Sequence, residues 1–144
     1  MTSEFAIAVH ALVYLNHRDE ILSSETLAEN ICTNPARVRK IMAKLKKSGL
    51  VGTKEGLNGG YSMTKKADEI NLKQICDALQ TELVKAGWKS GNKDLPCMIA
   101  CGMSAVMDEL YLDLDEKCKN YLESITVLGI EKRIFGQDQK TVVK

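Results

Sequence analysis

The sequence predicts a mainly α-helical protein with a small two-stranded β wing, a winged helix-turn-helix followed by a long C-terminal dimerisation helix. Three observations carry that expectation. A short helical segment and a strongly basic one meet at ICTN, residues 31–34. The stretch GLVGTKEGLNGGYSM (49–63) follows at once, two short apolar runs around a glycine-rich turn. Further on, an apolar stripe recurs at helical spacing from Met103 to Ile125.

Each element has its own local cause. SEFAIAVHALVYLNH (3–17) reads as a buried helix with Ser3 placed to cap it. In SSETLAENI (23–31) Ser23 or Ser24 can cap, and Leu27, Ala28 and Ile31 face inward. The clearest helix is TNPARVRKIMAKLKKSG (33–49). Asn34 caps it, Pro35 takes the first helical position and Gly49 ends it. Val38, Ile41, Met42 and Leu45 form its apolar stripe, while Arg37, Lys40, Lys44 and Lys47 lie within about 80° of one another on a neighbouring face.

The runs 50–54 and 60–64 are strand candidates joined by EGLNG, hence a hairpin. NLKQICDALQ (71–80) is a capped amphipathic helix with Leu72, Ile75, Cys76 and Leu79 inward. Residues 82–96 are the loosest region, carrying Gly87, Trp88, Gly91 and Asn92. A long helix is expected from about Met103 to Ile125. The chain thus divides into a DNA-binding winged helix (1–81), a loop with candidate sensor cysteines (82–102), a dimerisation helix and C-terminal segment (103–135) and a frayed tail (136–144).

Composition narrows the function. With 144 residues, 44% hydrophobic and 27% charged, the chain has the make-up of one globular domain carrying a helical arm. The first residues have no basic leader or cleavage site, and the run Phe5–Leu15 is too short to span a bilayer, so a cytoplasmic protein with reduced thiols and no membrane contact is expected. Net charge is only +1, yet residues 34–54 hold seven Lys and Arg and no Asp or Glu. Such asymmetry points to a surface that faces a polyanion.

A nucleotide-binding phosphate loop is excluded, because the glycines lie between two strands and no Lys-Ser/Thr follows Gly60. No nucleophile, base and orienting group occur together near a glycine-rich cleft, so an enzyme is not expected. A wing instead needs a tight turn that can approach phosphates or enter the minor groove, and Lys54, Asn58, Gly59, Gly60 and Tyr61 meet that need. Glu55 does not, since its carboxylate repels phosphate. If the basic helix enters a major groove, Thr33, Asn34, Arg37 and Lys40 lie nearest the bases, with Arg37 suited to a bidentate guanine contact. Lys44 and Lys47 suit phosphates, as do Ser24 and Thr26 at the start of the preceding helix. A winged helix that only binds protein is the alternative from another class; it has no need of the basic segment.

The long helix exposes more apolar surface than a domain of this size can cover, and packing against its own copy in a twofold homodimer is the economical solution. Met103, Met107, Leu110, Tyr111, Leu114, Cys118, Tyr121 and Leu122 are the expected interface. Two such domains would read a palindromic operator on double-stranded DNA.

The sequence also resembles the Rrf2 family of bacterial transcription regulators, from FAIAVHALVYL through LAENICTNPARVRKIMAKLKKSGLV and most sharply at GLNGGYSMTKKADEINLKQICDAL, over roughly residues 3–125. The resemblance implies a dimeric winged-helix repressor joined through the long helix. It also implies an arginine in the wing where Glu55 stands, so Lys54 would have to serve in its place.

For the signal, the resemblance implies an iron–sulfur cluster held by three cysteines before the dimer helix. Here Cys97 and Cys101 stand at C-x3-C spacing with no further cysteine until Cys118, which breaks that pattern. His10 matches a position that is a ligand in some relatives and would have to complete a site with Cys97 and Cys101. The residues themselves favour a thiol switch without a cofactor. Cys97 follows Pro96 at an expected helix start, where amides and the macrodipole stabilise a thiolate. Peroxides, quinones or disulfides would react there, with Cys101 or the other subunit's thiol as the resolving group. Cys32, Cys76 and Cys118 fall on apolar faces and are expected to be packing residues. Control by a partner protein or a small ligand, with Trp88 as a contact, is a further option.

Overall fold

The computed structural model of the protein describes residues 3–141, with side chains through residue 136. Six helices and one hairpin follow in the order α1 (Ser3–Arg18), α2 (Ser24–Ile31), α3 (Pro35–Lys47), β1 (Val51–Lys54), β2 (Gly60–Met63), α4 (Leu72–Leu79), α5 (Met98–Leu122) and α6 (Val127–Thr141). Among the described residues, no helix is long and apolar enough to cross a membrane.

The core forms where α1 to α4 bring their apolar stripes together. Ala8, Ala11 and Leu12 of α1, Leu27 of α2, Val38, Met42 and Leu45 of α3 and Ile75 of α4 are fully buried within it. Small residues on α1 let its neighbours approach closely, while Leu and Ile from the others fill the space between. Local chemistry sets the helix ends. Ser23 caps α2 by accepting from the Thr26 amide at 3.1 Å. Asn71 and Gln74 form a capping box on α4. Ser3, expected to cap α1, lies within the helix as the first described residue.

The hairpin is antiparallel, with Val51 opposite Met63 and Lys54 opposite Gly60. An isolated bridge sets Leu22 on the other side of β2, since Tyr61 and Leu22 exchange backbone hydrogen bonds of 2.8 and 3.0 Å. That closeness explains one glycine of the wing: Gly60 has φ +155°, and a Cβ there would lie 2.2 Å from the Leu22 carbonyl oxygen. Thr64 Oγ1 donates to the Gly49 carbonyl at 2.6 Å, tying the wing's return strand to the exit of α3.

Two expectations about the C-terminal part need correction. The long helix begins five residues earlier than expected, at Met98, and ends at Leu122. Ile125 therefore does not extend its stripe. It lies in a connection that turns back into the core, where its carbonyl accepts from Leu72 at 2.9 Å and the Val127 amide donates to Ile70 at 2.9 Å. The segment expected to fray from Gly136 continues instead as helix through Thr141, and 142–144 lie outside the described residues. α6 packs on α1, with Asn16 Nδ2 donating to Glu131 Oε2 at 2.9 Å and His17 Nδ1 3.3 Å from Glu131 Oε1.

Candidate nucleic-acid interface

α2 and α3 meet as a helix-turn-helix because Cys32, at φ +65°, adopts the left-handed conformation that ends α2. Asn34 then caps α3 with its side chain, accepting from the Arg37 amide at 2.8 Å. Val38, Ile41, Met42 and Leu45 turn into the core, so the rest of α3 is presented outward. Opposite the buried stripe, at about 180° on the helix, lies a face made of Ala36, Lys40, Ala43 and Lys47, all exposed.

The remaining cations divide between two flanks. Arg37 and Lys44 lean towards the start of α1, where the Arg37 guanidinium donates to Ser3 Oγ and Lys44 pairs with Glu4 at 3.2 Å. Arg39 and Lys46 occupy the flank that faces the wing. Arg39 Nη1 donates to Ser24 Oγ at 3.3 Å, and Lys46 lines a groove with Thr53, Lys54 and Tyr61. The wheel alone grouped Arg37, Lys40, Lys44 and Lys47; the fold turns the surface towards Arg39 and Lys46. Neither was singled out from sequence. They sit seven residues apart on one flank, but which flank would meet the wing depends on how the hairpin folds back.

The other sequence candidates are dispersed. Asn34 is committed to its cap, and Thr33 is half-buried with its amide donating to Ala28 at 3.0 Å. Ser24 is buried, its hydroxyl shared between Arg39 and Glu25, and Thr26 Oγ1 lies 3.0 Å from Ser23 Oγ. In the wing, Lys54 and Asn58 are exposed, and Leu57 projects fully into solvent at the tip. The amides of Gly59 and Gly60 were expected to be free for phosphate. That of Gly59 is used within the turn, donating to Gly56 at 3.0 Å, and Gly60 is pressed against Leu22. Tyr61 packs half-buried against the core, and burial raises its phenol pKa while Arg39 opposes the shift. Glu55 borders the same groove as Lys46 and Lys54.

Cys97 occupies the N-cap position of α5 and is exposed. Its sulfur makes no completed capping bond, yet the amides of Ala100 and Ile99 face it and lower the thiol pKa below its ordinary value. Cys101, one turn on, is half-buried and its Sγ approaches the Met98 carbonyl at 3.4 Å. Cys76 behaves as expected of a packing residue: it is buried, and desolvation pushes its pKa up to about 11. Cys118 is half-buried. Cys32 departs from expectation, because the left-handed cap turns its side chain outward and leaves it exposed. Trp88 is also exposed rather than packed.

α5 is the least buried long element. Asp115 is its only buried residue, held by the Leu83 and Val84 amides at 2.6 and 2.9 Å and by Lys119 at 3.1 Å. Ile99, Met103, Val106, Leu110, Leu114 and Tyr121 lie exposed along one side. Of the expected interface, Met107, Cys118, Tyr111 and Leu122 are half-buried, with Tyr111 and Leu122 turned towards their own chain; Ile99 and Val106 were not anticipated.

Helix-turn-helix, basic face and adjoining wing define a DNA-binding regulator, and comparison with known proteins agrees. The chain matches the Rrf2 family, described as "Iron-dependent Transcriptional regulator", over residues 1–131, and it belongs to that family. It is thus a DNA-binding transcriptional regulator and not an enzyme. YwnA of Bacillus subtilis, assigned as an HTH-type transcriptional regulator, is 26% identical over 135 residues, covering 94% of this chain and 99% of its own. The HTH-type transcriptional regulator NsrR of Oceanobacillus iheyensis is 25% identical over 140 residues, 90% of this chain and 95% of the other. A crystal structure of a Lactobacillus plantarum protein assigned as a transcriptional regulator superposes with a TM-score of 0.78 at 25% identity, covering 99% of both chains.

The family description implies iron, and the donor set of this chain can be tested for it. Among the described residues, no three His, Cys, Asp or Glu side chains come together to hold a metal ion. Cys97 and Cys101 stand without a third ligand, and His10 is bonded to Asn30 Oδ1 at 2.7 Å. Among the described residues, a single chain thus brings only two cysteines near one another and no third donor for an iron–sulfur cluster.

Proposed function

We propose that this regulator is a homodimeric repressor that leaves a palindromic operator when thiol chemistry occurs at Cys97. The observation that carries the reading is Cys97 itself, an exposed thiol at the first turn of the helix that also bears the uncovered apolar stripe. A hydroperoxide would meet the thiolate first. The S–O bond forms as O–O breaks, and the departing oxygen takes a proton to leave as water or alcohol. Cys101, or a thiol of the other subunit, then displaces water from the sulfenic acid to give a disulfide.

Dimerisation is supported by the α5 stripe, about 37 Å long for 25 residues. An apolar groove beside Leu114 and Tyr121 adjoins it, and at Phe5 that groove meets a second one, of about 600 Å³, between α1 and α6. The exposed stripe of α5 and the groove beside it are what a second copy would cover. α4 packs against both α5 and α3, so a change at the start of α5 has a packed route to the basic helix.

Lys40 and Lys47 on the outward face of α3, with Arg39, Lys46 and Lys54 beside the wing, are the residues proposed to meet DNA. Affinity should fall steeply with salt, and Lys40→Ala with Lys47→Ala should reduce the slope of log K against log salt by about two. Salt-indifferent binding would count against phosphate contacts and favour the protein-binding alternative. Anaerobically purified protein should be colourless and lose operator binding on peroxide treatment; a brown protein containing iron and sulfide would replace the thiol reading with a cluster. Cys97→Ser should bind DNA normally and ignore peroxide.

A further inference from the structure

Beside the wing Arg39 is engaged by a carboxylate of its own chain. Arg39 reaches from α3 to the first turn of α2, where its Nη1 stands 3.6 Å from Glu25 Oε1 and 3.3 Å from Ser24 Oγ. Ser24 Oγ donates in turn to Glu25 Oε2 at 3.2 Å. The carboxylate also takes up its own backbone amide, which with Ser24 and Arg39 holds its pKa below the ordinary value. Ser24, Glu25, Lys46, Lys54, Glu55 and Tyr61 line one groove of about 430 Å³ between α2 and the wing base.

The groove has the chemistry of a phosphate track. It offers two lysines, a guanidinium at its edge, a hydroxyl and first-turn amides of a helix, all recurrent partners of nucleic-acid backbones. In the free protein the guanidinium and the hydroxyl are engaged by the Glu25 carboxylate, a planar anion. Both partners are largely exposed, with side-chain accessibilities of 53% for Arg39 and 69% for Glu25, so the pair adds little to stability and can exchange.

We propose that Glu25 is an affinity-setting residue, an internal stand-in for a DNA phosphate that Arg39 must leave before the backbone can enter this groove. The inference rests on the DNA-binding reading above. Every docking event, at any sequence, must separate Glu25 from Arg39 and bring its carboxylate near the incoming strand. That cost is common to every sequence, so Glu25 lowers affinity for any duplex that enters the groove.

Fluorescence anisotropy tests this with two probes: a mixed-sequence duplex, and an operator selected from a random library by the wild-type protein. Glu25→Gln keeps the side chain's shape and should tighten binding to the mixed duplex by about three- to ten-fold. Operator affinity should rise by about the same factor, because both duplexes bring the same backbone into the groove. Arg39→Ala should weaken both and lower the salt slope by about one. In the Arg39→Ala background, Glu25→Gln should add nearly nothing. Unchanged or weaker mixed-duplex binding by Glu25→Gln, in protein whose denaturation midpoint is unaltered, overturns the proposal. Equal tightening with and without Arg39 also overturns it, because the effect would then be one of general charge. Failure of the wild type to bind any duplex at low salt would bring down the DNA-contact assignment as well, and so is distinguishable from either outcome.

Discussion

Gly60 shows how one residue couples the wing to the domain. Its backbone lies so close to Leu22 that any side chain would collide with the carbonyl. Gly60→Ala should therefore cost about 2–4 kcal/mol, measured by chemical denaturation, and loosen the wing before the core. Asp115 does the same for α5, which it ties to residues 83 and 84. Burial pushes its carboxyl up, but the Val84 and Leu83 amides and the Lys119 ammonium outweigh that and hold it below the usual range. A carboxyl depressed in the folded state contributes stability above its unfolded value, near pH 4, and loses it as pH falls through the folded value. Its contribution should thus be flat near neutrality and disappear only in acid. Asp115→Ala, which strands two amides, should cost about 2–3 kcal/mol at pH 7.

At the scale of elements, α3 was the most legible part of the chain. Asn34, Pro35 and Gly49 marked its ends, and the spacing of Val38, Ile41, Met42 and Leu45 marked its buried side. The choice of outward face was not legible. Arg37 and Lys44 looked equivalent to Lys40 and Lys47, yet α1 engages the first two through Ser3 and Glu4. Paired substitution should separate them: Arg37→Ala with Lys44→Ala should weaken DNA binding less than Lys40→Ala with Lys47→Ala, at matched salt. The opposite order would return the recognition face to the α1 side. Cys32 was misread for a related reason, since a helix period places it inward while the left-handed cap places it outward. The end of α5 was missed because Ile125 keeps the apolar spacing although Leu122 closes the helix.

Over the whole molecule, apolar surface is distributed unevenly. The winged domain buries its own stripes, whereas α5 leaves Ile99, Val106, Leu110 and Leu114 in solvent. Leu110→Glu with Leu114→Glu should yield a folded monomer by sedimentation, with operator affinity reduced at least about a hundred-fold through loss of the paired half-site. A dimer that survives both charges would place the interface elsewhere.

The amino-acid sequence by itself determined the order of elements through α4, the caps of α2, α3 and α4, the hairpin and the concentration of positive charge after residue 34. These depend on neighbours along the chain, where periodicity and capping act over a few residues. Tertiary structure alone decided that Arg39 reaches Glu25, that Arg37 and Lys44 are drawn towards α1, and that Ile125 belongs to the core. Those outcomes depend on side chains distant in sequence whose meeting is set by how α1, α2 and the wing pack around α3, a geometry that no local pattern encodes.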